Sequence, residues 1–340
     1  MKSTDKIKKA NRILNVLIAA VAALVVILVI IIGVRNYIDS RRMDFSYSYQ
    51  TDRLLSADPL EEASSALAPA FAEDLCVGEA NTALGDIVLD GEEKGGLFQL
   101  DSRKILFSQG IYDKIYPASI TKIMTSLLAI EYGNMDDVVT IQAEDVTLEE
   151  GSQMSGMQAG DQVTMDQLFH ALMVYSANDA AMAIARHIGG TFDQFVEMMN
   201  QEAQNLGMTG THFVNPHGLH DDNHYTTVYD IYLMLNKAFT EQKFTDTMSL
   251  SSYTLTVTAA DGSQRTRYLT ATDRYLTGEV TAPDNVTVLG GKTGTTSQAG
   301  NCLAIVSQNA YGEPFISIVV NAQNKTTLYN DMNILLSQIN

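Results

Sequence analysis

A run of 22 residues without a charged side chain, Ile13–Val34, constrains this chain more than any other feature of its sequence. At about 1.5 Å per residue, a helix of this length spans roughly 33 Å, enough to cross the hydrocarbon core of a bilayer. Cleaved signal peptides have apolar regions of about 7–15 residues followed by small residues, whereas Arg35 follows this run. The run therefore predicts an uncleaved transmembrane anchor, and cleavage further on, near Ala68 or Ala72, is the alternative.

Charge is distributed unevenly along the chain. The first 12 residues carry five basic side chains against one acidic one, whereas the other 328 carry 17 basic and 39 acidic side chains. The basic excess before the apolar run predicts a cytoplasmic N-terminus and an extracytoplasmic remainder, as in a single-pass membrane protein. The acidic remainder repels phosphate backbones, so no nucleic acid is expected as a partner.

Composition divides the chain into four segments. Residues 1–12 form a basic cytoplasmic tail, and residues 13–34 form the transmembrane anchor. Residues 35–71 have mixed charge and a stretch rich in Ala, Ser and Glu, which predicts an extracytoplasmic linker. From residue 72 to residue 340 the pattern is globular. With 46% hydrophobic and 18% charged residues overall, the chain can bury a sizeable core.

The order of predicted elements in residues 72–340 indicates the fold class. Two strands, Gly96–Leu100 and Lys104–Phe107, precede a long run of helices. A hairpin around Asp261-Gly262 and three apolar strands follow, and a last helix covers about Leu328–Ile339. Strands, then helices, then strands predict an α+β fold in which an antiparallel sheet is flanked by helices.

The chain contains two cysteines, Cys76 and Cys302. Two cysteines in a domain of this size do not form a disulfide framework. Two unpaired, small apolar side chains are the favoured interpretation, and a single disulfide outside the cytosol is the alternative.

Three short motifs place hydroxyl and amino groups at spacings that suit catalysis or the binding of a peptide. The first is Ser119-Ile120-Thr121-Lys122, at the start of a predicted helix over Ser119–Tyr132. Residues three apart share a helix face, so Lys122 can serve as the base that a weakly nucleophilic serine requires. This requires that burial or a nearby cation lower the pKa of the lysine. Alone, the motif also fits a capped helix with a solvated lysine.

The second and third motifs supply groups that can hold a peptide. Ser176-Ala177-Asn178 lies 57 residues after Ser119, between two predicted helices, and offers a hydroxyl and an amide. Lys292-Thr293-Gly294-Thr295 follows a predicted strand, Val286–Leu289, and its cation and hydroxyls suit a carboxylate. Taken singly, these two motifs fit a helix break and a glycine-rich turn equally well.

Together and in this order, the three motifs are the signature of penicillin-binding proteins and class A β-lactamases, and the chain resembles that superfamily. More narrowly, it resembles the bacterial low-molecular-mass D-alanyl-D-alanine carboxypeptidases, the peptidase S11 family, over roughly residues 72–340. The resemblance rests on the segments at 116–125, 176–181, 215–219, 224–227 and 292–296. It implies a β-lactamase/transpeptidase-like fold and a serine DD-peptidase domain.

The resemblance also implies roles for individual residues. Ser119 is expected to become acylated, with Lys122 as its base. Ser176, hydrogen-bonded between the two lysines, is expected to pass a proton to the departing D-alanine. The residues expected to bind substrate are Asn178, Lys292, Thr293, Gly294 and Thr295. The backbone N–H groups of Ser119 and Thr295 are expected to form an oxyanion hole.

The expected partners follow from the same resemblance. They are peptidoglycan stem peptides ending in D-Ala-D-Ala, β-lactam antibiotics that imitate this end, and the membrane that holds the N-terminal helix. Members of the family need no metal ion or other cofactor. The short spacings of His212, His217, His220 and His224 nevertheless leave a metal site as a minor alternative.

Other activities remain open at this point. A class A β-lactamase is disfavoured because Ala177 stands where those enzymes have Asp, and because the segment Glu197–Asn200, which resembles their glutamate motif, has the wrong spacing. A non-enzymatic sensor of β-lactams or wall fragments is disfavoured because only 12 residues precede the apolar run. Endopeptidase or transpeptidase chemistry could use the same site, since water or any amine can in principle meet an acyl-enzyme.

Overall fold

The computed structural model of the chain describes residues 74–89 and 91–339. The predicted basic tail, anchor and linker all lie outside these residues. Of the two units into which the chain divides, Met1–Leu67 and Ala68–Asn340, only the second contains described residues. In this described part of the chain, no helix is long and apolar enough to cross a membrane.

Two antiparallel sheets organise the described residues. Their strands are β1 (Lys94–Gln99), β2 (Lys104–Gln109), β3 (Val138–Thr140), β4 (Gln162–Thr164), β5 (Ser252–Thr258), β6 (Gln264–Thr270), β7 (Thr287–Thr296), β8 (Gly300–Gln308) and β9 (Pro314–Ala322). The larger sheet has the order β2-β1-β9-β8-β7, and the smaller one has the order β3-β4-β5-β6. The mixed fold with antiparallel strands confirms the predicted α+β class at this level.

Helices lie on both faces of the larger sheet. They are α1 (Lys122–Tyr132), α2 (Met165–Val174), α3 (Asn178–Gly189), α4 (Phe192–Asn205), α5 (Val228–Phe239), α6 (Gln242–Met248) and α7 (Lys325–Leu336). Alternate residues of β8 face opposite sides: Leu303 packs in the cluster under α7, and Ala304 packs in the larger core that includes α5. Burial on both faces explains why β8 and β9 have continuous apolar sequences.

Several predicted boundaries change for identifiable reasons. The helix predicted from Ser119 begins with a 3₁₀ turn, Ala118–Thr121, because Ala118 has a φ of 48°. The strand predicted to end at Leu289 continues through Thr296, so the third motif lies within β7. The last helix starts earlier than predicted, at Lys325, where the Asn324 side chain accepts from the Thr327 amide.

The cysteines are both free and buried. The thiol of Cys76 donates to the carbonyl of Gln99, and that of Cys302 donates to the carbonyl of Ala299. The favoured interpretation of two unpaired cysteines is therefore confirmed.

Candidate active site

The turn that carries Ser119 is held from beneath by a chain of hydrogen bonds. The Thr121 hydroxyl donates to the carbonyl of Ala118 at 2.8 Å, and it contacts Nε2 of His224 at 2.7 Å. The other ring nitrogen of His224 accepts from the Val214 amide at 3.1 Å, so Nε2 carries the proton and donates to Thr121. Burial lowers the pKa of His224 to about 3, which keeps this ring neutral. The left-handed backbone at Ala118 is thus fixed by its surroundings.

Lys122 is fully buried and directs its ammonium at the nucleophile. Its Nζ atom donates to the Oγ atom of Ser119 at 2.8 Å, to Oδ1 of Asn178 at 2.7 Å and to the carbonyl of His217 at 2.7 Å. These three acceptors use all three donors of the ammonium. The i,i+3 contact predicted between Ser119 and Lys122 is therefore present.

The surroundings of Lys122 favour its neutral form. Burial lowers the pKa of Lys122 well below its ordinary value, the charge of Lys292 lowers it further, and Asp179 opposes the shift. The Asp179 carboxylate is itself held by Ser155, whose hydroxyl donates to it at 2.8 Å. A lysine with a lowered pKa gives up its proton more readily, and its neutral amine can then accept a proton from a serine hydroxyl.

The second motif lies across the cleft from Ser119. Ser176 has a φ of 63°, and its Oγ atom accepts from Nζ of Lys292 at 2.9 Å. The expectation that Ser176 is hydrogen-bonded to both lysines holds for Lys292 and is wrong for Lys122. The Lys122 ammonium donates to Asn178 instead of Ser176. That bond occupies only Oδ1 of Asn178, so its NH₂ group remains able to donate to a substrate.

The third motif runs along β7, the outermost strand of the larger sheet. The Lys292 ammonium is buried and donates to Ser176 and to the carbonyl of Thr293. A β-carbon on Gly294 would lie 2.9 Å from the backbone nitrogen of Ser119, so the glycine is what lets β7 pack against the nucleophile's turn. The Thr295 hydroxyl donates to Oδ1 of Asn301 at 3.2 Å.

These three motifs meet in a cleft of about 180 Å³. It is lined by five of the predicted site residues, Ser119, Ser176, Thr293, Gly294 and Thr295, and by residues that the sequence did not single out. The latter include Gln153, Thr272, Asn301, Lys325 and Tyr329. Lys325 is the first residue of α7, and its place beside the cleft follows only from the packing of that helix on β8 and β9.

The histidines do not gather into a metal site. In the described ranges, no group of three or more His, Cys, Asp or Glu side chains is arranged to hold a metal ion. His217 and His224 are buried, whereas His220 contacts Asp222 at 3.3 Å near the surface. His217 instead accepts from the Leu219 amide and presents its carbonyl to Lys122.

A serine in contact with a buried lysine, in a fold of this kind, defines the class of transpeptidase- and β-lactamase-like proteins. Within that class, the chain belongs to the peptidase S11 family: the family model described as D-alanyl-D-alanine carboxypeptidase matches residues 97–324. This range contains every predicted site residue.

Individual relatives agree with this assignment. The chain is 30% identical over 251 residues to D-alanyl-D-alanine carboxypeptidase DacC of Escherichia coli, covering 71% of this chain and 59% of that protein. It is 30% identical over 152 residues to D-alanyl-D-alanine carboxypeptidase DacF of Bacillus subtilis, covering 44% of this chain and 39% of that one. The matched regions thus span about two fifths to three fifths of these relatives.

A solved structure supports the fold. The crystal structure of the Streptomyces K15 DD-transpeptidase aligns with a TM-score of 0.66 and 26% sequence identity. The alignment covers 72% of this chain and 94% of that one.

Proposed function

We propose that the protein is a serine-type D-Ala-D-Ala carboxypeptidase that trims the terminal D-alanine from peptidoglycan stem pentapeptides. The observation that carries the proposal is the 2.8 Å contact between Ser119 and the buried Lys122 within a cleft that β7 borders. Membership of the peptidase S11 family supports the same activity.

Acylation uses Ser119 and Lys122. With Lys122 neutral, its Nζ atom takes the proton of the Ser119 hydroxyl while Oγ attacks the carbonyl carbon of the penultimate D-alanine. The carbonyl oxygen becomes an oxyanion that the backbone N–H groups of Ser119 and Thr295 stabilise. Such a donor typically lowers the barrier by about 3 kcal/mol. The close approach of Gly294 to Ser119 brings these two backbone segments together.

Departure of the leaving group depends on a proton from the second motif. The amide bond breaks, and the nitrogen of the terminal D-alanine takes a proton from the Ser176 hydroxyl. Lys292, which donates to Ser176 at 2.9 Å, stabilises the oxygen left behind. Ser176 recovers its proton from the Lys122 ammonium that formed when Ser119 was deprotonated, which returns Lys122 to its neutral form. Water then attacks the acyl-enzyme, which releases the shortened peptide and restores Ser119.

Substrate binding falls to the rest of the cleft. The NH₂ group of Asn178 donates to the substrate's backbone carbonyl. Lys292, Thr293 and Thr295 hold the terminal carboxylate, and Gly294 keeps the backbone of β7 close to it. Lys325 adds a second cation to this cleft, and Coulomb attraction assigns it to the same carboxylate.

Two further parts of the proposal concern the inhibitors and the place of action. A β-lactam that imitates D-Ala-D-Ala acylates Ser119 and leaves slowly. The uncharged run at 13–34 and the basic residues before it support a single-pass protein of a bacterial cell membrane, with its cytoplasmic tail inside and its linker and catalytic domain outside.

A transpeptidase is the second candidate, because the structural relative with 26% identity is a DD-transpeptidase. The two activities share the acyl-enzyme and differ in whether water or an amine receives the acyl group. Adding a D-amino acid acceptor to the assay therefore separates them.

One experiment tests the proposal. The full-length chain in detergent is incubated with a pentapeptide ending in D-Ala-D-Ala, next to a Ser119→Ala variant and a Ser126→Ala control. Ser126 is a buried serine of α1 whose hydroxyl donates to the carbonyl of Ile123. We expect release of D-alanine from the native chain and the control but not from Ser119→Ala. No release from the native chain, or equal release from all three, contradicts the proposal.

A further inference from the structure

Thr272 is a residue of the cleft that belongs to none of the three motifs. It lies in the segment between β6 and β7, two residues after β6 ends at Thr270, and its side chain is half-buried. It lines the cleft together with Ser119, Ser176 and Thr293. The proposed mechanism gives its hydroxyl no task.

The position of Thr272 is fixed by hydrogen bonds to both sides of the cleft. Its amide donates to the carbonyl of Val174 at 3.2 Å, at the end of α2 and two residues before Ser176. Its Oγ1 atom accepts from the hydroxyl of Thr293 on β7 at 2.5 Å. Thr272 thus joins the second motif to the third, and a group held in this way is preorganised to meet a ligand.

Three threonine hydroxyls border the cleft, and two of them already donate to oxygens of the protein. The Thr293 hydroxyl donates to Thr272, and the Thr295 hydroxyl donates to Oδ1 of Asn301 at 3.2 Å. A hydroxyl has a single proton, so each of these two would have to turn away from its acceptor to reach a carboxylate directly. The Thr272 hydroxyl accepts from Thr293, and its own proton has no acceptor among the described residues. Thr272 is therefore the threonine whose proton remains available to a ligand in the cleft.

A carboxylate is the ligand that suits this donor. A carboxylate only accepts hydrogen bonds, and bonds to a charged acceptor are the stronger ones. Lys325 lines the same cleft, and no acidic side chain does so in the described part of the chain. Lys292 uses two of its three donors, on Ser176 and on the carbonyl of Thr293. The bond that Thr293 donates also polarises the Thr272 hydroxyl and so strengthens it as a donor.

We propose that Thr272 binds the substrate directly, by donating its hydroxyl proton to the terminal carboxylate of the peptide. Thr293 donates to Thr272 and so holds the carboxylate through it. The inference rests on the proposed function, because it adds a contact to the carboxylate of that same substrate.

Two ligands, one with a terminal carboxylate and one without, test this contact. For the full-length chain in detergent, kcat/KM is measured for the release of D-alanine from a pentapeptide ending in D-Ala-D-Ala. The inhibition constant is measured for an analogue of N-acetyl-D-alanine in which a boronic acid replaces the carboxyl group. The boron bonds the Ser119 oxygen, and this inhibitor carries no carboxylate for Thr272 to bind.

Three variants are compared with the native chain. Thr272→Val keeps the shape of the side chain but loses the hydroxyl, whereas Thr272→Ser keeps the hydroxyl. Both keep the amide that donates to Val174. Thr266→Val is the matched control, because Thr266 is an exposed threonine of β6 whose hydroxyl contacts that of Thr256 at 3.4 Å.

We expect Thr272→Val to lower kcat/KM for the peptide about tenfold, since a hydrogen bond to a charged group is lost. The inhibition constant of the boronic acid should be unchanged. Thr272→Ser and Thr266→Val should match the native chain with both ligands. Thr272→Val also releases the Thr293 proton, so a native or higher kcat/KM in this variant would identify Thr293 as the donor and overturn the inference. An equal loss with both ligands, or the same loss in Thr272→Ser, would assign Thr272 a structural role and overturn it as well.

The inference and the proposed function fail in different ways in this experiment. If the native chain releases no D-alanine, the proposed function fails and the inference with it, whether or not the boronic acid binds. If the native chain releases D-alanine and Thr272→Val does so equally well, the inference alone fails.

Discussion

Gly218 packs so closely against Ala118 that a β-carbon on the glycine would lie 1.9 Å from the Ala118 carbonyl oxygen. Gly218 also has a φ of 86°. The loop that supplies the His217 carbonyl to Lys122 is thereby pressed against the turn that carries Ser119.

Gly218→Ala should destabilise the domain and slow acylation together. The left-handed backbone costs an alanine about 1–2 kcal/mol, and the contact with Ala118 forces the loop away from the nucleophile's turn. Gly262→Ala is the matched control, because Gly262 has a φ of 85° but no heavy atom within 4 Å of the added carbon. Urea unfolding and penicillin labelling should show the larger loss for Gly218→Ala. Equal losses of stability and labelling rate in the two variants would show that the contact between Gly218 and Ala118 relaxes without a cost in free energy.

Lys122→Arg should abolish acylation. An arginine stays protonated across the accessible pH range, so it cannot take the proton of Ser119, and general-base assistance is typically worth about 10²–10⁴-fold in rate. In the native chain, where burial lowers the pKa of Lys122, the labelling rate should rise with pH as the lysine loses its proton. The control is Lys237→Arg, a substitution in α5, and this variant should be labelled at the native rate. A labelled Lys122→Arg variant would require a different base.

The buried histidines should make the domain sensitive to acid. Burial lowers the pKa of both His217 and His224 to about 3, while the unfolded chain binds these protons below about 6.5. Their contribution to stability is thus complete above pH 6.5 and is lost as the pH falls toward 3. At pH 5 each histidine should lower the free energy of unfolding by about 2 kcal/mol relative to its value at pH 7.5.

His224→Gln tests this contribution. Urea unfolding at pH 7.5 and pH 5 should show a smaller drop in the free energy of unfolding for the variant than for the native chain. Glutamine does not titrate, and its amide can still donate to Thr121. An identical drop in both proteins would show that His224 does not carry the acid sensitivity.

Lys325→Met should weaken substrate recognition without removing the chemistry. Methionine keeps much of the side chain's length but loses the cation beside the cleft, so KM for a D-Ala-D-Ala peptide should rise several-fold with less change in kcat. Lys104→Met, on an exposed strand position of β2, serves as the control. If KM is unchanged, Lys325 does not meet the carboxylate.

The sequence predicted which side chains gather at the candidate site better than it predicted the hydrogen bonds among them. Ser119, Lys122 and Lys292 could be predicted to lie there because short motifs tie residue type to spacing. Lys325 could not, since its position depends on how α7 packs against distant parts of the chain. The contact of Lys122 with Asn178 was missed for the same reason.

Fold prediction shows a similar division. The apolar strands β8 and β9 were predicted as strands, and the bounds of α1 and α7 were predicted within a few residues. Strands β3 and β4 were missed because a strand of three residues is too short to show an alternation of polar and apolar side chains. Their pairing is set by contacts across the smaller sheet.

The outermost position of β7 has a consequence for solubility as well as for recognition. An unpaired strand edge offers its backbone groups to any passing chain and so invites aggregation. Here the turn at Ala118–Thr121 packs beside β7, and Ser176 borders the same cleft. These neighbours leave room along the edge for a single extended peptide and hinder pairing with a whole second sheet. The same arrangement that would admit the proposed substrate peptide should therefore also disfavour edge-to-edge pairing between copies of the chain.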